Sequence, residues 1–139
     1  FLPDKKPYHR AVIDAASNEV VFPGAIYEDR VVHALRFFSR FYLHGHRVGG
    51  TNPSLVEALG AGSAVIAHDN QFNRWVAGPG AAYFSDESSC AKLFDQLLTD
   101  DATWLAMKSS SRKRFKERFT WDKVLEEYDS LLSSWHPSH

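Results

Sequence analysis

Two adjacent glycines, Gly49 and Gly50, lead through Thr51 to Asn52-Pro53, and Glu57 follows five residues after Asn52. Asn accepts hydrogen bonds from the free N–H groups of a first helical turn, and Pro pre-sets φ at the first helical position, so Asn52-Pro53 predicts a helix start. The glycine turn then delivers the chain onto a helix N-terminus. There, unpaired N–H donors and the positive end of the helix dipole favour an anion, and the missing Cβ atoms let a phosphate approach the backbone. Gly49, Gly50, Thr51 and Asn52 are thus a candidate cradle for a phosphorylated ligand. Glu57 would stand about 7 Å further along the axis, leaning back toward the start, within reach of a hydroxyl beside that phosphate. The plainer alternatives are an ordinary strand-to-helix loop and a solvated glutamate. Leu55, Val56 and Leu59 mark the buried stripe, and Glu57 points roughly 150° away from its centre.

His44 and His46 alternate onto one face at the end of a predicted strand, and His68-Asp69 ends a neighbouring one. Four ligand-type side chains converging is one reading. The barrel that usually supports such metal chemistry needs about 250 residues, and no further carboxylate cluster appears, so no metal is expected. The other reading is that an open α/β sheet brings the carboxyl ends of its strands to a ligand crevice, lined here by His46, Asp69 and Asn70. Arg112, Lys113, Arg114, Lys116 and Arg118 alternate with Phe115 and Phe119. They read as a solvated face beside a core stripe or as a contact for anionic lipid. Cys90 reads as a core filler. Neither a nucleophile-elbow G-x-S-x-G nor a Walker loop is present.

Alternating elements must position these groups. The pattern predicts a helix over 8–16, a strand over 20–22, a helix over 28–38, and a strand over 41–46 covered on both faces. It continues with the helix over 53–60, a strand over 64–67, a loop over 70–73 with at most a short helix over 74–77, and a strand over 81–84. Helices over 88–99, 102–119 and 121–135 close the chain. Alternation of this kind implies an α/β fold with a doubly wound parallel sheet, in which strands 41–43 and 64–67 are parallel neighbours.

The run from Gly49 to Leu59, GGTNPSLVEAL, followed by Gly62 and the strand over 64–67, resembles the signature of glycosyltransferase family 4. The likeness extends from about Val20 onward, through Asn70, Phe72, Asn73 and Gly78 to Phe119-Thr120-Trp121. It implies the C-terminal, Rossmann-like, nucleotide-sugar-binding half of a GT-B enzyme. That family carries two glutamates separated by seven residues. Glu57 matches the second, used on the donor's ribose, whereas the position of the first, used on the donor sugar, is Gly49. The resemblance further implies His46, Asp69 and Asn70 as lining of the donor site, retention of anomeric configuration, no metal on the diphosphate and no cofactor beyond the donor itself. The acceptor, a glycan or lipid-linked sugar of polysaccharide biosynthesis, would be met by an N-terminal half. The chain is expected to start after the first strand and helix of its own half, together with the family's basic pair, and to be inactive alone. A non-catalytic sugar-nucleotide or glycan-binding module and a GT-B-like epimerase or phosphorylase are the alternatives.

At 139 residues, with 44% hydrophobic and 14% aromatic content, the chain suits one domain over 1–139 with a sizeable core. A net charge of −1 argues against a nucleic-acid partner. One cysteine excludes an internal disulfide framework and suits a reduced, cytoplasmic setting, peripheral to the inner face of a membrane if the basic run meets lipid. No apolar run approaches the roughly 18 residues of a membrane span, and no signal-peptide pattern opens the chain.

Overall fold

The computed structural model describes residues 6–135, which divide between Val32 and His33 into two compact units. The first contains helix α1 (Pro7–Ala15), begun by a proline in its first turn, and an extended stretch leading to helix α2 (Asp29–Phe38), which runs across the division. The strand expected over 20–22 does not form. Val20, Val21 and Phe22 are exposed and take no strand conformation. An apolar triplet becomes a strand only within a ladder, and among the described residues the strands of the sheet lie in the second unit.

In that unit, strands β1 (Tyr42–His44), β2 (Val65–His68) and β3 (Ala82–Phe84) form a parallel sheet in the order β1-β2-β3. Tyr42 pairs with Val65 and His44 with Ala67, so the two runs flanking the glycine turn are parallel neighbours as expected. Helix α3 (Pro53–Gly60) joins them, and helix α4 (Gln71–Ala77) joins β2 to β3. Helices α5 (Glu87–Leu97), α6 (Asp101–Arg118) and α7 (Trp121–Trp135) follow.

Side chains alternate across a strand, and on β2 this divides the core. Val65 and Ala67 pack with Leu55 and Leu59 of α3 and Val76 and Ala77 of α4, while Ala64 and Ile66 pack with Leu97 of α5 and Met107 of α6. Helices therefore lie on both faces of the central strand. β1 is an edge strand, shorter than expected, and its Leu43 is half exposed, so the two-sided cover read from its composition is absent. The segment 70–73 is not a loop. The Asn70 side chain accepts from Asn73 N–H at 2.9 Å and starts α4 at Gln71. Asp86 and Asp100 cap α5 and α6 in the same way, Asp86 within a capping box with Ser89.

Much of the basic run is spent on packing. Arg114 donates to the carbonyls of Trp75 and Val76, satisfying the last turn of α4, and Arg118 lies over the Trp75 ring. Arg112 approaches Gly62, whose φ of +72° closes the turn after α3. On α7 no residue is buried, and Trp121, Leu125, Tyr128, Leu131, Leu132 and Trp135 are all exposed.

Candidate functional site

Parallel strands place their carboxyl ends on one edge, so the loops after β1 and β2 meet beside the start of α3. Between them lies a recess of about 110 Å³ lined by His46, Val48, Gly49, Gly50, Thr51, Asn52, Pro53, Asn70 and Asn73. The four cradle residues and two of the three crevice residues read from the sequence thus share one small cavity. Its volume is well under the roughly 300–1,000 Å³ of a pocket that encloses a whole drug-sized ligand, and suits one charged group rather than a complete sugar nucleotide.

The donors facing a ligand are not those of the helix itself. Pro53 has no N–H, Ser54 N–H is taken by Asn52 Oδ1 at 3.0 Å, and Leu55 N–H by the Asn52 carbonyl at 3.1 Å. The N–H groups of Gly49, Gly50, Thr51 and Asn52 donate to no protein group among the described residues. The open donors that could meet an anion therefore sit one step earlier, in the glycine loop, with the α3 dipole behind it. Gly49 has φ of +126°, a conformation that glycine adopts without strain. A Cβ on Gly50 would meet no atom within 4 Å, so this face of the backbone is open.

Asn73 braces the recess. It is buried, and its Nδ2 donates to the carbonyls of His46 at 2.9 Å and His68 at 2.8 Å, tying the β1 and β2 loops together. Asn70 Nδ2 adds a second bond to the His46 carbonyl at 3.0 Å. The sequence marks Asn73 only as part of the family resemblance; its spacing after Asn70, a cap followed three residues later by the capped N–H, was the available signal.

His44, His46, His68 and Asp69 do not converge. The His44 and His46 rings stack at 4.7 Å, and His68 sits edge-on to Phe84 at 5.6 Å. Asp69 forms a paired contact with Arg74, Nε to Oδ1 at 2.5 Å and Nη2 to Oδ2 at 2.8 Å, outside the recess lining. That contact holds the Asp69 carboxyl below its ordinary range. No group of three or more His, Cys, Asp or Glu side chains among the described residues is placed to hold a metal. His44 is buried with Nε2 unpartnered, and burial, then His46, lowers its proton affinity.

Glu57 is exposed on the polar side of α3, away from the buried Leu55, Ala58 and Leu59. It lies outside the recess lining, and its Oε2 pairs with Arg36 Nη2 at 2.7 Å. Arg36 carries no signal in the sequence, because the partner is on another helix far along the chain.

A three-stranded parallel α/β sheet whose strand-end loops meet at one edge is compatible with a Rossmann-like glycosyltransferase domain. The chain belongs to the glycosyl transferase-like family, which matches it over residues 6–130. No curated protein and no solved structure matches it. Among the described residues no helix is long and apolar enough to cross a membrane.

Proposed function

We propose that this chain is the donor-binding half of a GT-B glycosyltransferase of family 4, which moves a sugar from a nucleoside diphosphate to a glycan or lipid-linked acceptor. The observation that carries the reading is the recess whose open backbone N–H groups run from Gly49 to Asn52 at the start of α3. Helices on both faces of β2 support a doubly wound sheet for the domain. In this reading the glycine loop holds the diphosphate, and Glu57 accepts from the ribose hydroxyls. The physical task in such a transfer is to stabilise negative charge growing on the leaving diphosphate. Fixed N–H groups do this without reorganising, so neither a metal nor a cofactor besides the donor is assigned. Retention of configuration, and an acceptor bound by an N-terminal half, belong to the same proposal.

Gly49 at the place of the family's sugar-binding glutamate favours a second reading, a sugar-nucleotide-binding module without turnover. The test is a thermal-shift screen of the intact protein against UDP, GDP, dTDP and ADP, followed by assay for a new glycoside. A ligand at a hundred times its dissociation constant stabilises the native state by about 2.7 kcal/mol. A shift with at least one nucleotide is expected, together with a shift from pyrophosphate alone that does not add to it because the two compete for one site. No shift with any of the four would refute donor binding, and binding with no glycoside formed would favour the second reading.

A further inference from the structure

We infer that Arg36 is the positioning residue for Glu57, holding its carboxylate in the geometry that receives the ribose; this rests on the donor-binding reading above. Glu57 alone is poorly suited to that task. Its side chain is 56% exposed, and an unanchored glutamate there loses rotamer freedom each time a ligand binds. Arg36 is the fixed member of the pair, with its side chain only 17% exposed. Its carbonyl accepts from Ser63 Oγ at 2.9 Å and Ser39 Oγ at 3.0 Å. Ser63 is fully buried in the turn after α3, so the end of α2 is fastened to the end of the helix that carries Glu57. The Tyr42 hydroxyl feels both charges: burial, and more weakly Glu57, raises its proton affinity while Arg36 lowers it. The 2.7 Å contact with Arg36 is made by Oε2 of a carboxylate that is otherwise open to solvent. An exposed ion pair of this sort adds little to stability, but a carboxylate already held in place spares a ligand the cost of ordering it.

The experiment separates this role from a structural one and from the ribose assignment itself. Affinities of the intact protein for UDP, GDP and pyrophosphate are measured for wild type, Arg36→Met, Arg36→Lys, Glu57→Gln and the double variant Arg36→Met/Glu57→Gln, with melting curves for each. Arg36→Met is expected to weaken whichever nucleotide binds by about two- to tenfold while pyrophosphate affinity stays as in wild type. Arg36→Lys recovers part of the loss, and the double variant is no weaker than Glu57→Gln alone, because Arg36 acts only through Glu57. Equal losses for nucleotide and pyrophosphate, additive losses in the double variant, unchanged nucleotide affinity in Arg36→Met, or tighter binding on freeing Glu57 would each overturn the inference. If Glu57→Gln itself spares nucleotide affinity, the ribose assignment falls and the role of Arg36 falls with it.

Discussion

Replacing Asn73 with Leu tests whether one buried amide holds the candidate site together. The side chain donates two hydrogen bonds, to the carbonyls of His46 and His68. Each is worth about 0.5–1.5 kcal/mol net, and a buried polar group left without its partner adds about 1–3 kcal/mol. The His46 carbonyl keeps the bond from Asn70, so only the bond to His68 is lost without a substitute. The backbone N–H of residue 73 still donates to Asn70 Oδ1, so α4 keeps its cap. The expected loss is therefore about 2–3 kcal/mol, or roughly a 10 °C fall in melting temperature for a domain of this size. Urea unfolding followed by far-UV circular dichroism measures it, with the denaturant slope unchanged if both states keep their surface. Because the bond anchors the loop after β1, pyrophosphate affinity should fall with it. A loss under about 0.5 kcal/mol, with pyrophosphate binding intact, would refute the idea that Asn73 braces the recess.

Gly50→Ala should leave stability within about 0.5 kcal/mol of wild type, since its Cβ meets nothing within 4 Å, yet weaken pyrophosphate binding on the order of tenfold in calorimetry. Unchanged binding would mean that the ligand does not touch this backbone. Gly80→Ala should destabilise by about 1–3 kcal/mol or more, because its Cβ would lie 1.8 Å from Ser110 Oγ and 2.3 Å from Ser110 Cβ on α6. A melting curve like that of wild type would show that α6 shifts freely. Stability should also depend on His44, whose folded proton affinity is lowered by burial and then by His46 from the ordinary value of 6.5. The unfolded chain takes up a proton that the folded one resists, so this contribution is fully present above about pH 6.5 and is lost as the pH falls through the folded value. Urea midpoints of His44→Gln should decline less steeply than those of wild type below pH 6.5, and equal slopes would contradict the assignment.

The segment from Tyr42 to His68 was legible because its signals are local. Asn52-Pro53 sets the helix start, and two apolar runs too close for any other connection set the parallel pairing. The strand expected over 20–22 failed because strand formation depends on a neighbour that an apolar triplet cannot specify. The start of α4 is ambiguous in the sequence because an Asn side chain that makes a turn also caps a helix, and at Asn70 it does the latter. The recess residues form a contiguous motif, and Asn52 as a cap already implies that a first-turn N–H is taken, as Ser54 shows. That the N–H groups from Gly49 to Asn52 find no protein acceptor among the described residues depends on the loop's path, which the motif does not specify. Arg36 and Arg114 were beyond sequence reading, since their partners, Glu57 and the end of α4, are brought to them only by the fold.

Helix α7 has a kinetic consequence for the chain. Helices of about 15 residues are marginal in water unless a packed face supports them, and not one side chain of α7 is buried. Amide hydrogens of Trp121–Trp135 should therefore exchange with solvent by local opening, at free energies near zero, while those of β2 exchange only as the whole sheet opens. A protection map would then split sharply at Thr120. The same map becomes a detector: slow exchange along α7 would mean that its stripe of Trp121, Tyr128 and Trp135 has been covered.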